Sequence, residues 1–149
     1  MRWPALVLAF LLASTEAAWP QESVIGYVKI ATGTVSLARG EQRIDAAPGT
    51  ALYLSDVFET GADGALGMTF KDNTIISIGP DSRLALEIYE FTPTEKKLGF
   101  VATLAHGTLQ YISGLIAKLA PDSVKVKTPA ANITVRGTRF LVRAEVETE

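Results

Sequence analysis

The chain has 149 residues, of which 48% are hydrophobic and 20% charged, with 14 basic against 16 acidic side chains, one histidine and no cysteine. That length and apolar content bound it to one modest domain able to bury a core. The missing cysteines exclude disulfides, thiolate zinc sites, thiol nucleophiles and lipid attachment at an N-terminal cysteine, and a net charge of −2 gives no electrostatic reason to bind nucleic acid.

Residues 1–17, MRWPALVLAFLLASTEA, carry one cation at Arg2, an apolar run from Ala5 to Ala13 and small residues before a cut after Ala17. This is the build of a secretory signal peptide, and the run is far shorter than the roughly 18 residues that cross a bilayer. The mature chain is then 18–149, with a core over about 24–143 and no later stretch apolar enough to span a membrane.

From Val24 onward apolar and polar residues alternate in short stretches, as at Val35 and Leu37, at Leu66, Met68 and Phe70, and at Leu84, Leu86 and Ile88. Turn chemistry separates them: Thr32-Gly33, Arg39-Gly40, Pro48-Gly49, Gly61 to Gly64, Asp72-Asn73 and Gly79-Pro80. The pattern predicts an all-β domain of short stacked strands, either a twisted β-solenoid or a sandwich. One short helix is expected over 113–120, with Leu115, Ile116 and Leu119 on one side and Pro121 closing it.

Asp63, Asp72 and Asp81 recur every nine residues, each before a turn-tolerant residue. The spacing fits strand segments joined by Asx corners; a column of carboxylates for calcium is the other reading, but the glycine-rich half of a calcium-binding nonapeptide repeat is missing.

The order of these turns and strands resembles the FecR-type domain. The resemblance rests on GYVKIATGTVSLARG at Gly26 to Gly40, on the stretch Ala47 to Leu86 with its Asp56-Val57-Phe58-Glu59-Thr60-Gly61 unit and Gly79-Pro80 corner, and on Val124 to Arg143 with Thr128-Pro129 and Val135-Arg136-Gly137-Thr138. In the family's regulators such a domain stands in the periplasm, joined through a membrane helix to a cytoplasmic segment that controls a sigma factor, and it engages an outer-membrane transporter. The resemblance therefore implies a periplasmic or secreted module, but not that signalling route.

Physical roles can be assigned to the motif residues directly. Asp56 interrupts a half-buried strand, where its carboxylate can accept backbone N–H bonds and fix a bend. Gly61 and Asp72 belong to corners, and Asn73 tolerates the left-handed conformation there. Pro129 removes a ladder donor and opens a new segment. Gly137, before Thr138, suggests a bulge with Phe140 and Val142 returning to the core. Arg136 is read either as the partner of a carboxylate such as Asp56 or as an anion site.

Catalytic constellations are scarce. His106 stands alone as a turn histidine before a strand, there is no G-x-S-x-G elbow, and Glu41 with Asp45 or Glu87 with Glu90 read as solvated faces. No cofactor is implied. A basic stretch formed by Lys125, Lys127, Arg136, Arg139 and Arg143 precedes the acidic tail and is the expected interaction surface, unless the charges only guard a sheet edge. The reading is a non-enzymatic module that binds an unidentified envelope protein, an accessory of signalling or transport. A small-ligand or glycan sensor would instead need clustered surface aromatics, and an envelope hydrolase a carboxylate or His106 in a cleft.

Overall fold

The computed structural model describes residues 23–146, so the predicted signal peptide over 1–17 lies outside the described residues. Twelve strands follow in order: β1 (Gly26–Thr32), β2 (Val35–Arg39), β3 (Gln42–Asp45), β4 (Ala51–Leu52), β5 (Val57–Thr60), β6 (Ala65–Phe70), β7 (Ile75–Ile78), β8 (Arg83–Thr92), β9 (Lys97–Ile112), β10 (Val124–Lys127), β11 (Asn132–Thr134) and β12 (Arg139–Ala144). One helix, α1 (Leu115–Leu119), sits inside the window expected for it.

The strands form one curled sheet whose two layers share β9. The first layer runs β3-β2-β5-β8-β9-β10-β11, and the second β4-β1-β6-β7-β9-β12. All pairs are antiparallel except β9 with β10, the one connection that passes through a helix, as a parallel crossover requires. Of the two architectures left open, this is the sandwich. Between the layers lie Leu37, Phe58, Leu84, Phe100 and Leu104 from the first, and Val28, Met68, Phe70, Ile76 and Tyr111 from the second, all essentially inaccessible.

The antiparallel path explains the regular aspartates. Asp63 lies between β5 and β6, Asp72 between β6 and β7, and Asp81 between β7 and β8. The six residues of β6 separate the first two corners, while the Asp81 N–H donates to the Gly61 carbonyl at 3.1 Å. Asp63 and Asp81 therefore share one end of the sandwich and Asp72 takes the other, so no calcium column forms. Asn73 has a φ of 69°, as its corner requires.

Two parity shifts were invisible in the alternation. In β8 the inward set is Leu84 and Leu86, but a bulge at Glu87 then turns Ile88 out, 45% exposed, and brings Tyr89 and Phe91 against the core. The expectation that Ile88 continues the inward series is thus corrected. In β9 the inward set changes from Phe100, Ala102 and Leu104 to Leu109 and Tyr111, across a register shift opposite Arg83 and Leu84. The strand bends there enough to bring the rings of Phe100 and Tyr111 within 5.9 Å of each other. His106 is part of this bend, its Nδ1 2.6 Å from the Asp81 carbonyl, rather than a turn residue ahead of a strand.

Gly107 makes the bend, with a φ of 104°. Any Cβ there would overlap both the backbone and the side chain of Ser82. Ser82 is tied to the same place: its Oγ accepts from the Thr108 N–H at 3.0 Å, and its own N–H donates to Thr60 Oγ1 at 2.9 Å. Gly137 also has positive φ, at 115°, but lies in the exposed connection ahead of β12, with open space around its Cβ position; it is a bend, not a strand bulge. The two glycines give a paired test. Gly107→Ala is expected to destabilise by more than about 2 kcal/mol, strain plus clash, and Gly137→Ala by about 1 kcal/mol from strain alone; equal losses in urea unfolding would contradict the wedge.

Candidate functional site

Each buried carboxylate serves as a corner support. Asp56 is wholly inaccessible and takes a bidentate grip from Arg39, Nε to Oδ1 and Nη2 to Oδ2, both 2.9 Å. The Tyr53 N–H also donates to Oδ2 at 2.9 Å, which is the backbone bond expected of this aspartate. Arg39 donates further to the Ala51 carbonyl at 3.0 Å and lies 4.4 Å over the Tyr53 ring. The expected pairing of Asp56 with Arg136 is corrected. Arg136 is exposed and 3.6 Å from the equally exposed Asp122; Arg39 reaches Asp56 because β2 and β5 are neighbours.

Asp72 supports the opposite end. Its Oδ2 accepts from Thr74 Oγ1 at 2.6 Å and from the Ile116 N–H at 3.2 Å, and its Oδ1 from the Tyr89 hydroxyl at 3.0 Å. The carboxylate thus holds the start of α1 against the β6–β7 corner. Burial, then the neighbouring Asp72 charge, raises the Tyr89 hydroxyl above its ordinary value, so it remains a donor. Burial likewise pushes Tyr111 up to about 12. The remaining motif residues are framework too. The Gly61 N–H donates to the Thr34 carbonyl at 2.9 Å; Thr128-Pro129 forms the β10–β11 turn, closed by the Thr128 N–H on Ala131; and the Thr138 carbonyl accepts from the Ser113 N–H at 2.9 Å.

The five cations do not form one cluster. Val124 and Val126 face the core, so Lys125 and Lys127 stand on the outer face of the first layer. Val142 and Ala144 do the same for β12, which puts Arg139 and Arg143 on the outer face of the second. Lys127 is paired with Glu87 at 3.1 Å and Arg143 with Glu145 at 3.3 Å. Lys125 and Lys127 share β10, Arg139 and Arg143 share β12, and Arg136 lies between the two strands.

The outer faces differ in chemistry. Across the first layer, Glu59 is paired with both Arg43 and Arg83, and Glu87 with Lys127. Across the second, the registers align Tyr27, Thr69, Ile75, Ile112 and Arg139 in one row and Ile30, Gly67, Ser77, Gln110 and Leu141 in the next. Between the ends these rows are neutral and flat.

They terminate at β12, which pairs with β9 alone among the described residues. The Ser113-to-Thr138 bond sets the phase of that ladder: Phe140, Val142 and Ala144 bond to β9, while Arg139, Leu141 and Arg143 point N–H and C=O away from it. Leu141 is 74% exposed, the most open large apolar side chain described. The other terminal strands have two to four residues, against six in β12. A long open edge with an apolar centre is what strand addition requires.

No group of three metal-ligating side chains occurs among the described residues. Phe70, Tyr89, Phe100, Tyr111 and Phe140 pack on one another with ring centroids 5.1–6.0 Å apart, Tyr89 and Phe91 are half-buried, and Tyr27 is exposed on the opposite layer from them. A groove of about 390 Å³ beside Tyr89, Phe91 and Lys97 is open to solvent.

The chain is an all-β sandwich with buried structural carboxylates and a six-residue terminal strand, β12, bonded on one side. Residues 56–148 match the family described as FecR protein, more than half of the chain, and the protein belongs to that family. This family is associated with envelope signalling and is generally non-enzymatic. The match opens at Asp56, whereas β1 to β4 complete both layers ahead of it. No curated protein and no solved structure matches the chain, and no described helix is long and apolar enough to cross a membrane.

Two outcomes follow from the charges. Asp56→Ala leaves Arg39 partly buried without its carboxylate and is expected to cost about 3 kcal/mol in chemical unfolding; a loss below about 1 kcal/mol would show the corner stands without it. Glu87 is held below the ordinary glutamate value by its bonds from Thr103 and then Lys127. The unfolded chain binds that proton more tightly, so the stabilisation is complete above about pH 5 and is lost as pH falls through the lowered value. Glu87→Gln should flatten the acid limb of the urea midpoint against pH; an unchanged limb would contradict the assignment.

Proposed function

We propose that this protein is exported to the periplasm by residues 1–17 and there acts as a non-catalytic interaction module of envelope signalling or transport, capturing an extended strand of an envelope protein along β12. The observation that carries the reading is the free edge of β12, where Arg139, Leu141 and Arg143 present backbone donors and acceptors beside an exposed leucine. Main-chain bonds supply affinity in such an arrangement, and the neutral rows behind the edge give an added strand a surface to continue. Arg139 and Arg143 favour a partner strand with acidic outward residues. The opposite outer face is already occupied by its own ion pairs.

Leu141→Pro tests this with little cost to the fold. It removes an N–H that points to the open side, so the β9 ladder is kept. Capture of envelope partners from crosslinked native envelope should fall at least about tenfold, whereas Lys125→Glu on the other face should leave it unchanged. Equal capture by wild type and Leu141→Pro, with unaltered melting, would remove the edge as the binding surface.

A further inference from the structure

We infer that, in the absence of another partner strand, the β12 edge is occupied by β12 of a second copy of this chain, in an antiparallel pair centred on Val142. The inference rests on the same edge as the reading above and adds what covers it.

The charges and the length of strand paired together select the register. In an antiparallel two-fold pair, residues that face each other lie on the same side of the sheet, so their numbers sum to twice that of the central residue. Centring on Val142 sets Arg139 of each copy against Glu145 of the other, one residue beyond β12 and in the single chain 3.3 Å from Arg143, and lays Leu141 along the aliphatic stem of Arg143. Centring on Leu141 would oppose Arg139 with Arg143, and centring on Arg143 would oppose that arginine with itself; centring on Phe140 would pair only Arg139 to Leu141 within the strand, and centring on Ala144, though it sets Arg143 against Glu145, would pair only Val142 to Val146 among the described residues. Like charges directly opposite each other destabilise a sheet.

The backbone phase and the inward face agree with this register. Arg139, Leu141 and Arg143 hold their main-chain groups toward the open side, so 139 with 145 and 141 with 143 become hydrogen-bonded pairs. On the inward face, Phe140 meets Ala144 and Val142 meets its own copy, which continues the apolar layer.

The experiment is sedimentation of the purified protein over a concentration series, with charge-reversed variants. Wild type should dimerise reversibly; Arg139→Glu and Glu145→Arg should each raise the dimer dissociation constant about tenfold or more, and the double reversal should return it to within about threefold of wild type. Both positions of change are exposed, and melting curves check that the variants remain folded. Should a variant unfold, amide exchange of wild type supplies the same decision: the Leu141 and Arg143 N–H groups should become protected only at high concentration. A wild type that remains monomeric up to about 0.5 mM, a dimer indifferent to both single reversals, or a double reversal that fails to recover would overturn the pairing. A monomer would leave strand capture standing, whereas loss of capture selectivity with an intact dimer would overturn strand capture alone.

Discussion

The structure depends on one bend. A single strand, β9, belongs to both layers of the sandwich, and it can do so only because Gly107 adopts a φ of 104° against Ser82. Thr60, Gly79, Ser82 and Thr108 lock that corner through a short chain of hydroxyl and backbone bonds: Thr60 Oγ1 donates to the Gly79 carbonyl at 2.6 Å and accepts from Ser82, and Ser82 in turn accepts from Thr108. Everything distal follows. Once the two halves of β9 face each other, Phe100 and Tyr111 meet across the core, β10 extends one layer, and β12 becomes the terminal strand of the other.

Polar chemistry inside the domain is spent on holding corners. Asp56 is saturated by Arg39 and Tyr53, and Asp72 by Thr74, Tyr89 and the first turn of α1. Satisfied carboxylates of this kind fix the conformation of the corners they hold. Among the described residues the main chain of β12 is bonded on one side only, as is β8 beyond Leu86, and inside the core the Tyr111 hydroxyl has no hydrogen-bond partner. One layer carries a charged, self-paired outer face, whereas the rows of the other hold uncharged side chains until they reach the arginines of β12.

Local signals in the sequence translated well into structure, and those that depend on how strands meet did not. The nine-residue aspartates marked three real corners, Asn73 took the left-handed conformation, the short helix lies within its expected window, and Gly137 has the positive φ read from its neighbours. Each of these is decided within a few residues. The bulge at Glu87 that exposes Ile88 arises from pairing with β9, a partner chosen by topology rather than by alternation. The choice of Arg39 over Arg136 for Asp56 likewise needs the β2–β5 pairing. The basic residues looked like one stretch because they are close in sequence; an excursion through β11 places Lys125 and Arg139 on opposite faces. Leu141 carried a faint signal, an apolar residue at an outward position between two arginines, which alternation alone would assign to solvent without a role.

The central claim is that β12 is bonded on one side only, and amide hydrogen exchange tests it most directly. In dilute protein, the N–H groups of Phe140, Val142 and Ala144, bonded to β9, should exchange slowly, while those of Arg139, Leu141 and Arg143 exchange at rates close to those of exposed turns such as Ala130. Alternation of fast and slow sites along this strand is the result the account requires. Uniformly slow exchange from Arg139 to Ala144 in the dilute monomer would mean that the edge is already covered, and would contradict it.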